Sequence, residues 1–184
     1  MTGSRQMAEQ FKGLLGLRTD PVTLSFRDIP LAGVPRVVAP APSGCTYWKQ
    51  VAEGRAFYTE ASNHYSCPIG AHTHGIDLPP EGAEELHRGR GDHDRSGLHP
   101  CRGVAGIPRR SGAFGVAVYA PLAQAPLEPD VVLVRGNAKQ MMLLAEAAQA
   151  AGVGAESAMS AASATESIRR WRTTSFTSPC LERS

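Results

Sequence analysis

Four cysteines and six histidines are the side chains of this sequence best suited to bind a metal or carry redox chemistry. Cys45 falls at the start of an expected helix, and Cys67 stands just before Pro68-Ile69-Gly70. Thiolates brought together by a fold can hold an iron–sulfur cluster or Zn²⁺, and a helix N-terminus lowers a thiol pKa. The competing reading is that both are small apolar packing residues. A second grouping joins Cys67 to His64, three residues before it, and to His72 and His74, five and seven after it. It would bind a metal if the segment looped back on itself; otherwise it is a turn with a buried cysteine and surface histidines. A third grouping is His87, His93, His99 and Cys101, whose separations of six, six and two match no standard zinc signature. A solvated loop is expected there, and Cys180 stands alone.

Other candidates carry weaker chemistry. Arg109-Arg110 would grip a phosphate or carboxylate, or form an ordinary surface pair. Val131 to Asn137, a strand and turn before a helix, offers N–H groups to an anion, but with Gly136 alone it matches no phosphate-binding pattern. An N-capped turn is the plainer reading. Asp77, Glu81, Glu84 and Glu85 read as negative charge at a helix start, not as a catalytic dyad. No Ser–His–Asp arrangement can be argued.

The elements that would position these residues follow from periodicity and punctuation. Residues 4–17 place Met7, Phe11, Leu14 and Leu15 three and four apart, the spacing of an amphipathic helix, with Gly16 near its end. Val22 to Phe26 reads as a strand entered through Pro21. Pro30, Pro35, Pro40 and Pro42 make 28–43 a loop or extended edge. Ser43 caps a helix through Cys45, Trp48, Val51 and Ala52 to Gly54. Ala56 to Thr59 and Phe114 to Tyr119 read as strands, and His64 to Gly70 as a turn or helix start. Residues 79–86 begin a helix that gives way to an aperiodic stretch. Val131 to Val134 is a buried β-branched run. Asn137 caps the best helix, 138–151, with Met141, Met142, Leu144 and Ala145 inward and Gly152 at its end.

Composition bounds the class. A chain of 184 residues suits one domain or slightly more. With 42% apolar and 20% charged residues it reads as globular. No run of apolar residues is long enough for a membrane span, and no signal peptide is evident. The cysteine spacing is not that of a disulfide framework, so the cytoplasm is expected. The net charge is +2. Its basic excess lies in 87–103 and 160–184, each with four Arg against two acidic residues. Nucleic acid is not an expected partner.

Long phrases carry a family resemblance: FKGLLGLRTDPVTLSF, IPLAGVPR, GCTYWKQVAEGRAFYTEASNHYSCPIGAHTHG, VAGIPRR and FGVAVYAPLAQAPLEPDVVLVRGNAKQMMLLAEAAQAAG. Over residues 7–86 and 104–159 the chain resembles the prokaryotic domain of unknown function family DUF169, which brings no established activity. The family pattern implies MTGLGYI before VAGIPRR, and a PTC-like phrase and then GCIGNRVYTGL…DDELY near the end. The chain has neither. Codons for His93–His99 can be chosen so that dropping one base yields MTGLGYI. Residues 159–182 can be coded so that a reading displaced by two bases yields VGCIGNRVYTPLADDELYFTVPG. The resemblance therefore implies that about 87–103 and 160–184 are translated out of frame. It also implies that an intact relative would add one cysteine from each missing phrase to Cys45 and Cys67.

These readings lead to a single α/β domain over 1–159, with α+β possible, an irregular insert at 87–103 and a disordered or aberrant tail at 160–184. The leading functional expectation is a cytoplasmic, cysteine-ligated metal or iron–sulfur protein, redox-linked, with Cys45 and Cys67 as its ligands. The alternatives are a small-ligand- or partner-binding domain without redox chemistry, and a non-functional frameshifted copy.

Overall fold

A computed structural model describes residues 3–84 and 109–152. The first helix, α1 (Gly3–Leu15), ends where Gly16 takes a left-handed φ of 63°. Met7, Ala8, Phe11 and Leu15 form its inward stripe, and Leu17 is buried just beyond. Leu14, expected on that stripe, is 83% exposed. Positions 7, 8, 11 and 15 already fill the arc that faces the protein, and Leu14 falls outside it.

Four strands form one antiparallel sheet in the order β2-β3-β1-β4. They are β1 (Val22–Arg27), β2 (Phe57–Glu60), β3 (Val116–Pro121) and β4 (Val131–Leu133). β1 pairs with β3 from Val22↔Pro121 to Arg27↔Val116, and with β4 from Val22↔Leu133. β2 pairs with β3 from Phe57↔Tyr119. Helices and strands mix within one domain, as expected, and every described strand of the sheet pairs antiparallel with its neighbours, the α+β form of that expectation. The fold is mixed α+β. The proline-rich loop does run as an extended edge: Val37 N–H donates to Tyr58 O and Tyr58 N–H to Pro35 O, both at 2.9 Å.

α2 (Gly44–Ala52) starts after Ser43, whose backbone is extended but whose side chain caps no backbone N–H. Tyr47 and Val51 turn inward and are fully buried. With Trp48 they cover the sheet face formed by Val22, Leu24, Phe57, Ala117, Tyr119 and Leu133, the larger core. A 3-10 turn (Ala61–His64) follows β2, closed by Asn63 Oδ1, which accepts from Glu60 N at 2.8 Å. α3 (Pro68–His74) begins with proline, which suits a first helical position, and ends at Gly75 with φ 80°. Helical backbone resumes at 80–84, where the first described stretch stops.

α4 (Ala138–Ala150) has the expected Asn137 cap, reciprocated by Gln140 at 2.8 and 3.0 Å. Gln140 Nε2 also donates to Leu15 O and Gly16 O, fastening α4 to the end of α1. Met141 and Leu144 pack with α1, Leu122, Val132 and Val134 in a second core. Met142, expected inward, is 59% exposed, and Ala145 is also exposed. The helix meets the protein along the i, i+3 line through 141 and 144, and neighbours one position on face solvent. Among the described residues, no helix is long and apolar enough to cross a membrane.

Candidate functional site

Tyr119 lies in the middle of β3, fully buried, its ring stacked on Phe57 at 5.5 Å between centroids. Its hydroxyl is 2.9 Å from His74 Nε2. The other nitrogen of His74, Nδ1, is 2.7 Å from Gly70 O. A carbonyl can only accept, so Nδ1 carries the proton, and in the neutral ring Nε2 accepts from the Tyr119 hydroxyl. Burial holds the His74 pKa below its usual value; the bond to Gly70 O opposes this, and the charge of Arg110 adds to it. The ring is therefore neutral near pH 7.

His64 stands beside it, with ring centroids 4.8 Å apart, and is 1% exposed. Its Nε2 is 2.8 Å from Thr59 Oγ1, which donates its single proton to Ala117 O at 3.3 Å. Thr59 must then accept from His64 Nε2–H. That leaves His64 Nδ1 a bare lone pair, buried and without a hydrogen-bond partner among the described residues. Burial, and then the charge of His74, push the His64 pKa down to about 3. Tyr47 completes the cluster: it donates to Asn63 O at 2.7 Å and accepts from Ala41 N at 3.0 Å. Burial raises its pKa, against the Ala41 N–H, which lowers it. The Tyr119 hydroxyl is raised well above the ordinary phenol value by burial, then by Tyr47, Cys67 and Cys45. Two neutral histidines and two neutral phenols thus sit locked in the core, without direct access for a substrate.

The expected thiols border this cluster. Cys45 is the second residue of α2, and Cys67 immediately precedes α3. Both are half-buried, and among the described residues no disulfide joins them. Gly70 marks where the starts of the two helices meet: a Cβ there would lie 3.0 Å from Cys67 Sγ and 3.9 Å from Gly44 Cα. The grouping of Cys67 with three histidines separates. His64 and His74 are buried, not on the surface as the plainer reading expects, and His72 is partly exposed. Among the described residues, no three His, Cys, Asp or Glu side chains are grouped to hold a metal ion. His87, His93, His99, Cys101, Cys180 and Glu85 lie outside the described residues.

Arg109 and Arg110 diverge. Arg109 Nη2 pairs with Asp77 at 2.7 Å and donates to Gly75 O. Asp77 is therefore an ion-pair partner rather than a charge at a helix start. Arg110 lies over the rings of Phe26 and Phe114, 4.5 and 5.2 Å from their centroids. The turn before α4 is an ordinary cap, its Gln140 N–H already taken by Asn137.

The residues that sequence reasoning missed are Tyr47, Tyr119, Phe26 and Phe114. The reading of Phe114 to Tyr119 as a strand placed Tyr119 in a sheet, but nothing local named a histidine partner forty-five residues from it.

An antiparallel α+β domain with two thiols beside a buried His–Tyr cluster defines the class. The chain belongs to the DUF169 family, described as uncharacterised ArCR, whose model matches residues 10–165. No curated protein and no solved structure matches it.

Proposed function

We propose that this is a thiol-based metal or iron–sulfur protein of the cytoplasm, redox-linked, with Cys45 and Cys67 as its protein ligands. The observation that supports this reading is the abutment of α2 and α3 at Gly44 and Gly70, next to Cys67 Sγ. It carries Cys45 and Cys67 to the same buried phenol, Tyr119, whose ionisation both oppose. Thiol ligands suit a reducing compartment. Two thiolates leave a four-coordinate Zn²⁺ or cluster iron incomplete, so the remaining positions fall to solvent, sulfide or a second copy. Protein purified without oxygen is expected to contain iron or zinc, with visible absorbance if the metal is iron. Cys45→Ser and Cys67→Ser should each remove the metal; metal-free wild-type protein would overturn the reading.

A second reading, a ligand-binding domain without redox chemistry, is favoured by the depression of about 410 Å³ lined by Gly75, Asp77 and residues 109–113. It expects colourless, metal-free protein in which cysteine substitutions leave binding intact. On a third reading this copy is out of frame at 87–103 and 160–184 and inactive, which its coding sequence would reveal.

A further inference from the structure

The floor of that depression is unusually well furnished with donors. Arg110 is half-buried, with its guanidinium over the rings of Phe26 and Phe114, so it has less rotational freedom left to lose on binding a ligand. Nη1 donates to Gly112 O, and among the described residues no carboxylate pairs with the group. Arg27, Arg36 and Arg109, by contrast, each face one at 3.0, 2.7 and 2.7 Å. Beside it run Ser111, Gly112 and Ala113, whose backbone N–H groups donate to no described residue. Gly112 turns the chain with φ 83°, and Gly75 lets α3 end against this loop, since a Cβ there would come 2.5 Å from Arg110 O. Thr73 O accepts from Arg110 N at 3.1 Å, fixing the loop to α3. Among the described lining residues Asp77 is the single carboxylate, against two guanidinium groups. The wall is positive and rich in N–H donors.

We propose that this depression binds a small oxyanion, a carboxylate or phosphate group, with Arg110 as the anchor. Arg109 is a second positive wall, partly neutralised by Asp77. The forked, planar guanidinium matches two oxygens of such a group, and the 111–113 backbone supplies N–H donors to the rest. The inference is independent of the thiol reading: the donors are on residues 109–113, in the loop leading into β3, and not on α2 or the start of α3.

The test is titration of the full-length chain with inorganic phosphate and, separately, with succinate, following the backbone amide resonances of Ser111, Gly112 and Ala113. Saturable shifts are expected with at least one of the two, and which one saturates identifies the group. Arg110→Gln should weaken binding about 10-fold or more. Asp77→Asn removes an exposed carboxylate and should tighten it about 2- to 5-fold. Because Asp77 is 97% exposed, that variant keeps its fold. Shifts that fail to saturate with both anions, or an Asp77→Asn variant that binds no more tightly than wild type, would overturn the proposal.

Discussion

His74 Nε2 accepts from the Tyr119 hydroxyl at 2.9 Å, joining the last turn of α3 to the middle of the sheet. The direction of that bond is set at the opposite edge of the ring, where Gly70 O demands a proton from Nδ1. The packing of α3 is thus decided by a hydrogen bond buried beyond the reach of water, where an orphaned partner is costly.

Tyr119→Phe keeps the ring and its stacking on Phe57 but strips His74 Nε2 of its donor. The expected loss of stability is about 1–3 kcal/mol, the cost of an unsatisfied buried acceptor. Urea unfolding at pH 7 reads it directly. Equal midpoints and slopes for the two proteins would mean the bond contributes nothing.

The two histidines also set the acid limit. Both folded-state pKa values lie below the ordinary 6.5, that of His64 at about 3. Between those values the unfolded chain binds protons that the folded chain refuses, so stability is full above about pH 6.5 and falls as pH drops toward 3. Each pH unit in that window costs up to about 1.4 kcal/mol for His64, and His74 acts in the same direction. Unfolding free energies at pH 7 and pH 5 should differ accordingly, and His64→Gln should shrink the difference. A wild-type stability that is flat over this range would contradict the assignment of both rings as neutral.

Gly70→Ala tests the helix junction. A Cβ there approaches Cys67 Sγ at 3.0 Å, and the thiol must turn away. Alanine is better than glycine within a helix by about 1 kcal/mol, which offsets the crowding, so overall stability should change little. The discriminating readout is the rate at which Cys67 reacts with a thiol reagent, measured with Cys45 replaced by serine. A several-fold change is expected; an unchanged rate would show that Gly70 does not set the thiol's position.

Much of the framework was legible in the sequence because its signals are local. Gly16, Asn137 and the β-branched run at 131 each act through the backbone near them, and their elements fall within a few residues of expectation. What escaped depends on distance. β4 pairs antiparallel with β1, a pairing invisible in either strand. Tyr119 finds His74 only once β3 is in place. Local periodicity also left a choice of one position in α4, whose inward line runs through Met141 and Leu144. Met141→Ala should therefore cost about 1–2 kcal/mol, and Met142→Ala, at 59% exposure, within about 0.5. Comparable losses from the two would return Met142 to the core.

The out-of-frame reading makes a prediction about bases that the protein sequence leaves free. In a reading displaced by two bases, each new codon takes its first base from the third base of a printed codon. Its second and third bases are the first two of the next codon, largely fixed by the residues present. To yield the family's ending, the third bases for Ser160, Ala161, Ala162, Ser163 and Ala164 must be G, T, A, G and A in turn. These positions are silent in the printed frame, so nothing in the encoded protein selects them. Sequencing the gene across the codons for residues 80–184 is expected to find that series, and then a missing or extra base upstream. The thiol reading would then be tested on the corrected chain, where the displaced Gly-Cys-Ile-Gly phrase supplies a further cysteine. If other third bases occupy those codons, the match is coincidence, and the chain's own Cys45 and Cys67 must carry any metal chemistry without that cysteine.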